Sequence, residues 1–380
     1  MGIRLPSLTT AALLAAVGAA TPAFGQAEPT AYEQLNLFGD AYDRVRRAYV
    51  EEVADDVVIR AAINGLLAAL DPNSMFLSAA QYDAMMAPDH DFDGLGIEIT
   101  MSQGVAQVIA PIDDSPAAAA GLRPGDLIAD INRTPIYGMT LPEAVAALRG
   151  DPGTILDLLI VREGEDAFIT TAELAAVAAP TVRSRLRGSE GYVRIPYFDA
   201  GTAAAVTAAV EALVAEAGGE LGGLVIDIRN SPGGSIDAGV AVADLFLQDG
   251  EIASVRGRND QITEVFTAGA GELLAGKPIV LLADRGTAGA AEILTGALKD
   301  HARAIVVGTP TFGMGSRQTI VPMGAAGFVQ LTTGHFYTPS GFSIHGAGIA
   351  PEVEVVPSRV IVQESRFPRR TEATLRGALD

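Results

Sequence analysis

The chain has 380 residues, 49% of them hydrophobic, and carries 46 acidic against 26 basic side chains for a formal net charge of −20. That excess repels phosphate backbones and anionic headgroups, which excludes nucleic acid and acidic membranes as principal partners. Cysteine is absent, which excludes thiol catalysis, disulfides and thiolate metal sites, and the length accommodates two or three domains.

The chain opens like an export signal. Arg4 is followed by the apolar run Ala11–Ala20 and by small residues up to Ala27. The run is shorter than the about 20 apolar residues a membrane span requires. The expectation is a leader over 1–27, cleaved near Gly25 or Ala27, and a periplasmic or secreted chain with no integral membrane segment. Residues 28–91 read as helical. Leu35, Phe38, Tyr42, Val45 and Tyr49 recur at three- and four-residue steps and paint one helix face. A second helix follows over 55–71, then a turn at Asp71–Pro72 and a capping box between Ser78 and Gln81. His90, alone among aspartates, reads as a loop residue rather than a metal ligand.

From 92 to 176 the texture changes to short strands with glycine turns, interrupted by a small helix after Ser115 and a longer one from Leu141 to Gly150. From 177 to 360 strands and helices alternate, the pattern of a layered α/β core with parallel strands. Thr202 is the expected cap of one helix, and Gly218 lies just past its end. The final residues, 361–380, read as a solvated tail helix carrying Arg366, Arg369, Arg370 and Arg376.

Five motifs, in order, carry a resemblance. They are "LDPNSMFLSAAQY" from Leu70, "GLGIEI" from Gly94 with "SPAAAAGLRPGDLIADINRTPI" from Ser115, "LVIDIRNSPGGSIDAGVAVADLFL" from Leu224, "TAGAAEILTGALKDHARAIVVGTPTFGMGSRQT" from Thr287, and "TPSGFSIHGAGIAPEVEV" from Thr338. Together they resemble the carboxyl-terminal processing peptidases, also called tail-specific proteases. The resemblance implies a multidomain α/β (α+β overall) chain: a helical N-terminal region, a β-barrel-like PDZ domain and a crotonase-like layered peptidase core. It implies no metal and no cofactor. The partners it implies are polypeptide C-termini or unfolded exported proteins, with a homodimer left open.

In the PDZ segment, Gly94 and Gly96 flank Leu95, so backbone N–H groups there could turn outward to a chain-terminal carboxylate while the ligand adds as a strand beside Ile97. Leu141, Val145 and Leu148 would form the other groove wall. In the core, the family's serine nucleophile falls on Gly289 and its lysine base on Met314. Gln318 matches the glutamine that orients the lysine, and Asp300 an acidic position at the end of the core helix. Gly233, Gly234 and Ala290 match the oxyanion-hole backbone. The family is a serine-type endopeptidase, yet glycine offers no attacking oxygen and a thioether accepts no proton. Two readings follow. The chain is a pseudopeptidase that binds peptide tails, or it is an active endopeptidase with a relocated nucleophile. Thr287 and Ser316 are the nearest hydroxyls for the second, with His301, His335 and His345 as bases. The two lysines, Lys277 and Lys299, lie outside the site region.

Overall fold

The computed structural model describes residues 30–86, 92–177 and 182–355. The expected leader, His90 and the arginine-bearing tail lie outside these residues. Residues up to Ala61 form one compact unit and those from Ala62 a second.

In the first unit, α1 (Ala31–Ala48) opens on a capping box. Thr30 Oγ1 accepts from the Glu33 amide, and Glu33 Oε2 accepts from the Thr30 amide at 2.7 Å. Arg46 and Arg47 in its last turn oppose the negative end of the helix dipole. The expected apolar stripe lies on this helix, and no residue of α1 is buried. A second helix, α2 (Asp55–Ala68), starts in this unit with two aspartates at its positive end and continues past Ala61.

In the second unit, the Ser78–Gln81 capping box forms as expected. The segment before it is not wholly helical, however. Met75–Leu77 is a short strand that pairs with residues 328–330. Phe92–Gly94 and Ala175–Val177, the entry and exit of the next domain, pair antiparallel with one another. Between them lies an antiparallel sheet in the order β1 (Ile97–Ser102), β2 (Val105–Pro111), β3 (Leu127–Ile131), β4 (Ile155–Val161), β5 (Phe168–Glu173). Strand β4 alternates buried and exposed residues along its length, as a half-buried strand must. Val108, Ile128, Leu158 and Ile160 are fully buried at its centre. Each such side chain contributes about 1.5–3 kcal/mol. Helix α3 (Leu141–Ala147) starts on a Thr140–Glu143 capping box and ends earlier than the sequence suggests, with Leu148 as its C-cap.

The core begins with an antiparallel hairpin, β6 (Arg183–Arg187) and β7 (Glu190–Arg194). Helix α4 (Thr202–Glu216) follows. Its cap is Gly201 rather than Thr202, whose hydroxyl instead bonds the Asp199 backbone and carboxylate. Then come β8 (Gly223–Asp227), α5 (Ile236–Asp244), β9 (Ile279–Ala283), α6 (Ala290–Asp300) and β10 (Ile305–Gly308). Strands β7 to β10 run parallel, as the alternation predicts. A second, antiparallel sheet holds Glu251–Arg256, Ile262–Thr267, β11 (Ser316–Pro322), β12 (Phe328–Tyr337) and the Met75–Leu77 strand. Helix α6 is buried from Ala290 to Leu298 in a core that draws on both sheets.

Candidate active site

Two chain reversals at the ends of parallel strands build the site. After β8 the chain turns through Ser231, Pro232, Gly233 and Gly234. Gly233 and Gly234 have φ of 99° and 120°, which glycine alone adopts without strain. A Cβ on Gly233 would lie 2.6 Å from Ala288 O and 2.9 Å from the Ala290 amide, so the loop presses on the start of α6 because its residue is glycine. After β9, the Asp284 carboxylate accepts from the Gly286 amide at 3.0 Å and the Asn230 amide at 2.8 Å, tying the two reversals together.

Gly289 caps α6 with φ 53° and ψ −116°, a sharp strand-to-helix elbow. A Cβ there would meet Met314 Sδ at 3.6 Å, Pro232 O at 3.7 Å and Gly233 Cα at 4.0 Å, all ordinary contacts. The positions expected for nucleophile and base therefore face each other, with room for a side chain between them. Ala290 opens the helix, where amides have no intrahelical acceptor.

Sequence reasoning missed the residue that joins the two halves. Glu292 is fully buried. Its Oε2 accepts from the Gly289 amide at 3.0 Å and the Met314 amide at 2.7 Å, and its Oε1 from Thr311 Oγ1 at 2.5 Å and the Gly313 amide at 2.7 Å. Burial pushes this carboxyl up to about 7 against the pull of those four donors. The available signal was its place three residues after the Gly289 cap, the acidic position of a capping box.

Other expected residues stand apart. Gln318 turns to Ser316 Oγ at 2.8 Å and Thr332 Oγ1 at 3.4 Å. Asp300 closes the far end of α6, about 15 Å along a helix of this length, where it accepts from the Ser340 amide at 2.9 Å. Of the hydroxyls, Thr287 is buried and donates to Ile228 O at 2.9 Å. Ser316 Oγ accepts from Asn73 and Gln318, and among the described residues no histidine hydrogen-bonds to it. His335 stacks on His345 with ring centres 4.2 Å apart; burial, then the neighbouring imidazole, holds His335 below its ordinary value. His301 is engaged with Glu251 O at 2.7 Å.

In the smaller domain, β1 is an edge strand alongside α3. The Leu95 amide does not turn outward as expected: it donates to Leu148 O at 3.3 Å. Leu148 itself belongs to the domain core, leaving Leu141 and Val145, of the three expected wall residues, partly buried. Gly96 has φ 71°, and a Cβ there would lie 2.4 Å from Ser115 Cβ. Gly94 and Leu95 are buried, and Ile97 is partly so. This domain rests on the core through charged contacts. Arg194 donates to the Asp113 carboxylate through Nε and Nη2, at 3.1 and 3.0 Å, and Arg183 pairs with Asp114. The Pro124 ring packs against Gly286 of the site turn. Beside these contacts the buried Asp227 accepts from Tyr192 at 2.6 Å and from Arg229 at 3.0 and 2.6 Å.

Comparison with known proteins agrees with this architecture. The peptidase family S41 model matches residues 189–355, and a PDZ domain model matches residues 107–162. The chain is 42% identical over 331 residues to a carboxy-terminal-processing protease of Bartonella bacilliformis, covering 86% of this chain and 76% of that one. It is 32% identical over 350 residues to the carboxy-terminal processing protease CtpB of Bacillus subtilis, covering 89% and 71%. Among solved structures, a photosystem II D1 C-terminal processing protease superposes with a TM-score of 0.72 at 29% identity, over 86% of this chain and 94% of that one.

Proposed function

The chain belongs to the carboxy-terminal processing proteases of peptidase family S41, and from that premise we propose that it holds polypeptide C-termini without cleaving them. Covalent acyl transfer needs a hydroxyl and a neighbouring group able to take its proton. One observation supports the reading above others: Gly289 and Met314 face each other at 3.6 Å from Cβ direction to sulfur, and neither can perform its step. The amides of Gly233, Gly234 and Ala290 could still orient a carbonyl. In serine hydrolases stripped of their catalytic residues that remainder is worth roughly 10³–10⁴ over water, far below enzymatic rates.

Peptide tails would bind along the outer edge of β1 from Ile97 onward, against Leu141 and Val145 of α3. Arg4 and the apolar run behind it support an activity outside the cytoplasm, on exported proteins. The test compares the parent chain with the double reversion Gly289→Ser, Met314→Lys on an unfolded protein bearing an apolar C-terminus. Binding by both and cleavage by the revertant alone is the expected result. Turnover by the parent, blocked by a hydroxyl-directed inhibitor, would overturn the proposal in favour of a relocated nucleophile.

A further inference from the structure

Strand β6 ends the central sheet among the described residues, and it reads Arg-Ser-Arg-Leu-Arg. Side chains two apart share a face about 7 Å from one another, so Arg183, Arg185 and Arg187 form a row. All three are exposed, while Leu186 on the opposite face packs on the core. The register sets Arg183 opposite Arg194, Arg185 opposite Tyr192 and Arg187 opposite Glu190, which extends the same face onto β7. Four arginines and a single glutamate thus share one sheet face of a chain whose net charge is −20.

Part of this face already binds carboxylates that come from outside the sheet. Asp113 and Asp114, consecutive residues of the PDZ turn, occupy Arg194 and Arg183. Arg185 lies over the Tyr192 ring at 4.3 Å, and among the described residues neither Arg185 nor Arg187 forms an ion pair, the Glu190 carboxylate opposite Arg187 accepting from Ser189 Oγ instead. The outer edge of β6 also presents a row of backbone donors and acceptors.

We propose that the β6 edge binds an extended acidic segment of a polypeptide, which adds as a further strand and sets alternate Asp or Glu side chains against Arg185 and Arg187. A polypeptide is the fitting occupant because it alone completes the backbone ladder. Nucleic acid and anionic lipid cannot, and the charge of the rest of the chain repels both. A charged edge also serves to keep like edges apart, but that role requires no acidic partner and gives no preference between peptides.

The experiment uses the full chain and a labelled peptide of alternating Glu and Thr, amidated at its C-terminus so that no terminal carboxylate is offered to the PDZ groove. Fluorescence anisotropy should show binding to the parent and about tenfold weaker binding to Arg185→Ala, Arg187→Ala. Circular dichroism of the variant should match the parent, since both residues are exposed. A Lys–Thr peptide should not bind, and the acidic peptide N-methylated at alternate residues should bind about tenfold more weakly. Undiminished binding to the variant, or undiminished binding of the methylated peptide, would overturn strand addition at this edge. A concentration-dependent dimer that the same substitutions dissolve would assign the edge to a second copy and overturn it equally.

Discussion

Serine introduced at Gly289 tests whether the site kept its frame. The backbone there sits at φ 53°, in a region that costs a residue with a side chain about 1–3 kcal/mol. Replacing glycine also removes freedom from the unfolded chain, which offsets about 0.4–1 kcal/mol. No steric cost is added, because the nearest atoms to the new Cβ are 3.6 to 4.0 Å away. The expected net loss for Gly289→Ser or Gly289→Ala is therefore about 1–2 kcal/mol, or roughly 2–8 °C in Tm for a unit of this size. Gly233→Ala is the control. Its φ is equally left-handed, but its Cβ would lie 2.6 Å from Ala288 O and 2.9 Å from the Ala290 amide, and backbone atoms cannot step aside. That change should cost more than about 3 kcal/mol. Urea unfolding of the three variants separates the cases. If Gly289→Ala costs as much as Gly233→Ala, the room at the elbow is not there and the reversion experiment loses its premise.

Three further outcomes are expected. Glu292 has its folded-state pKa raised from 4.5 to about 7, so its contribution to stability is full below about pH 4.5 and is lost as pH rises through 7. The span corresponds to about 3 kcal/mol, and urea midpoints across that window should show the decline in the parent but not in Glu292→Gln. Arg194→Met leaves Asp113 and the buried Asp227 without one of their cations and should lower stability by about 2 kcal/mol, read by thermal melting; a loss under 0.5 kcal/mol would show the contact between domain and core to be incidental. Gly96→Ala meets both a left-handed φ and a 2.4 Å approach to Ser115 Cβ, so it should cost more than about 3 kcal/mol and abolish binding of free-carboxylate peptides in calorimetry.

Much of this was legible beforehand because the signals were local. The apolar segments of β4 and β8 announced strands, β8 a buried one, while the half-exposure of β4 shows only in the structure. Gly289 and Met314, which spacing alone matched to the motif positions, lie face to face. What escaped was decided by partners far along the chain. Met75–Leu77 is three residues long, too short to show a period, and becomes a strand only because β12 offers it an edge. The direction of the Leu95 amide depends on where α3 stops, at Leu148. Gln318 looks to Ser316 on its own strand and to Thr332 on the neighbouring one, a partner its place in the motif does not reveal. Glu292 stood in the open within its motif, yet its four donors converge only once two loops from different strands have met.

The short ribbon of Phe92–Gly94 against Ala175–Val177 has a bearing on how the PDZ domain can travel. A module hung on one thread wanders through a wide cone. Here the outgoing and returning threads are laced together by hydrogen bonds, and the outgoing one follows a segment already woven into the core sheet at Met75–Leu77. Whatever swing the module makes must carry both threads at once. A module tied in this way can turn about the ribbon but cannot spin freely around a single strand.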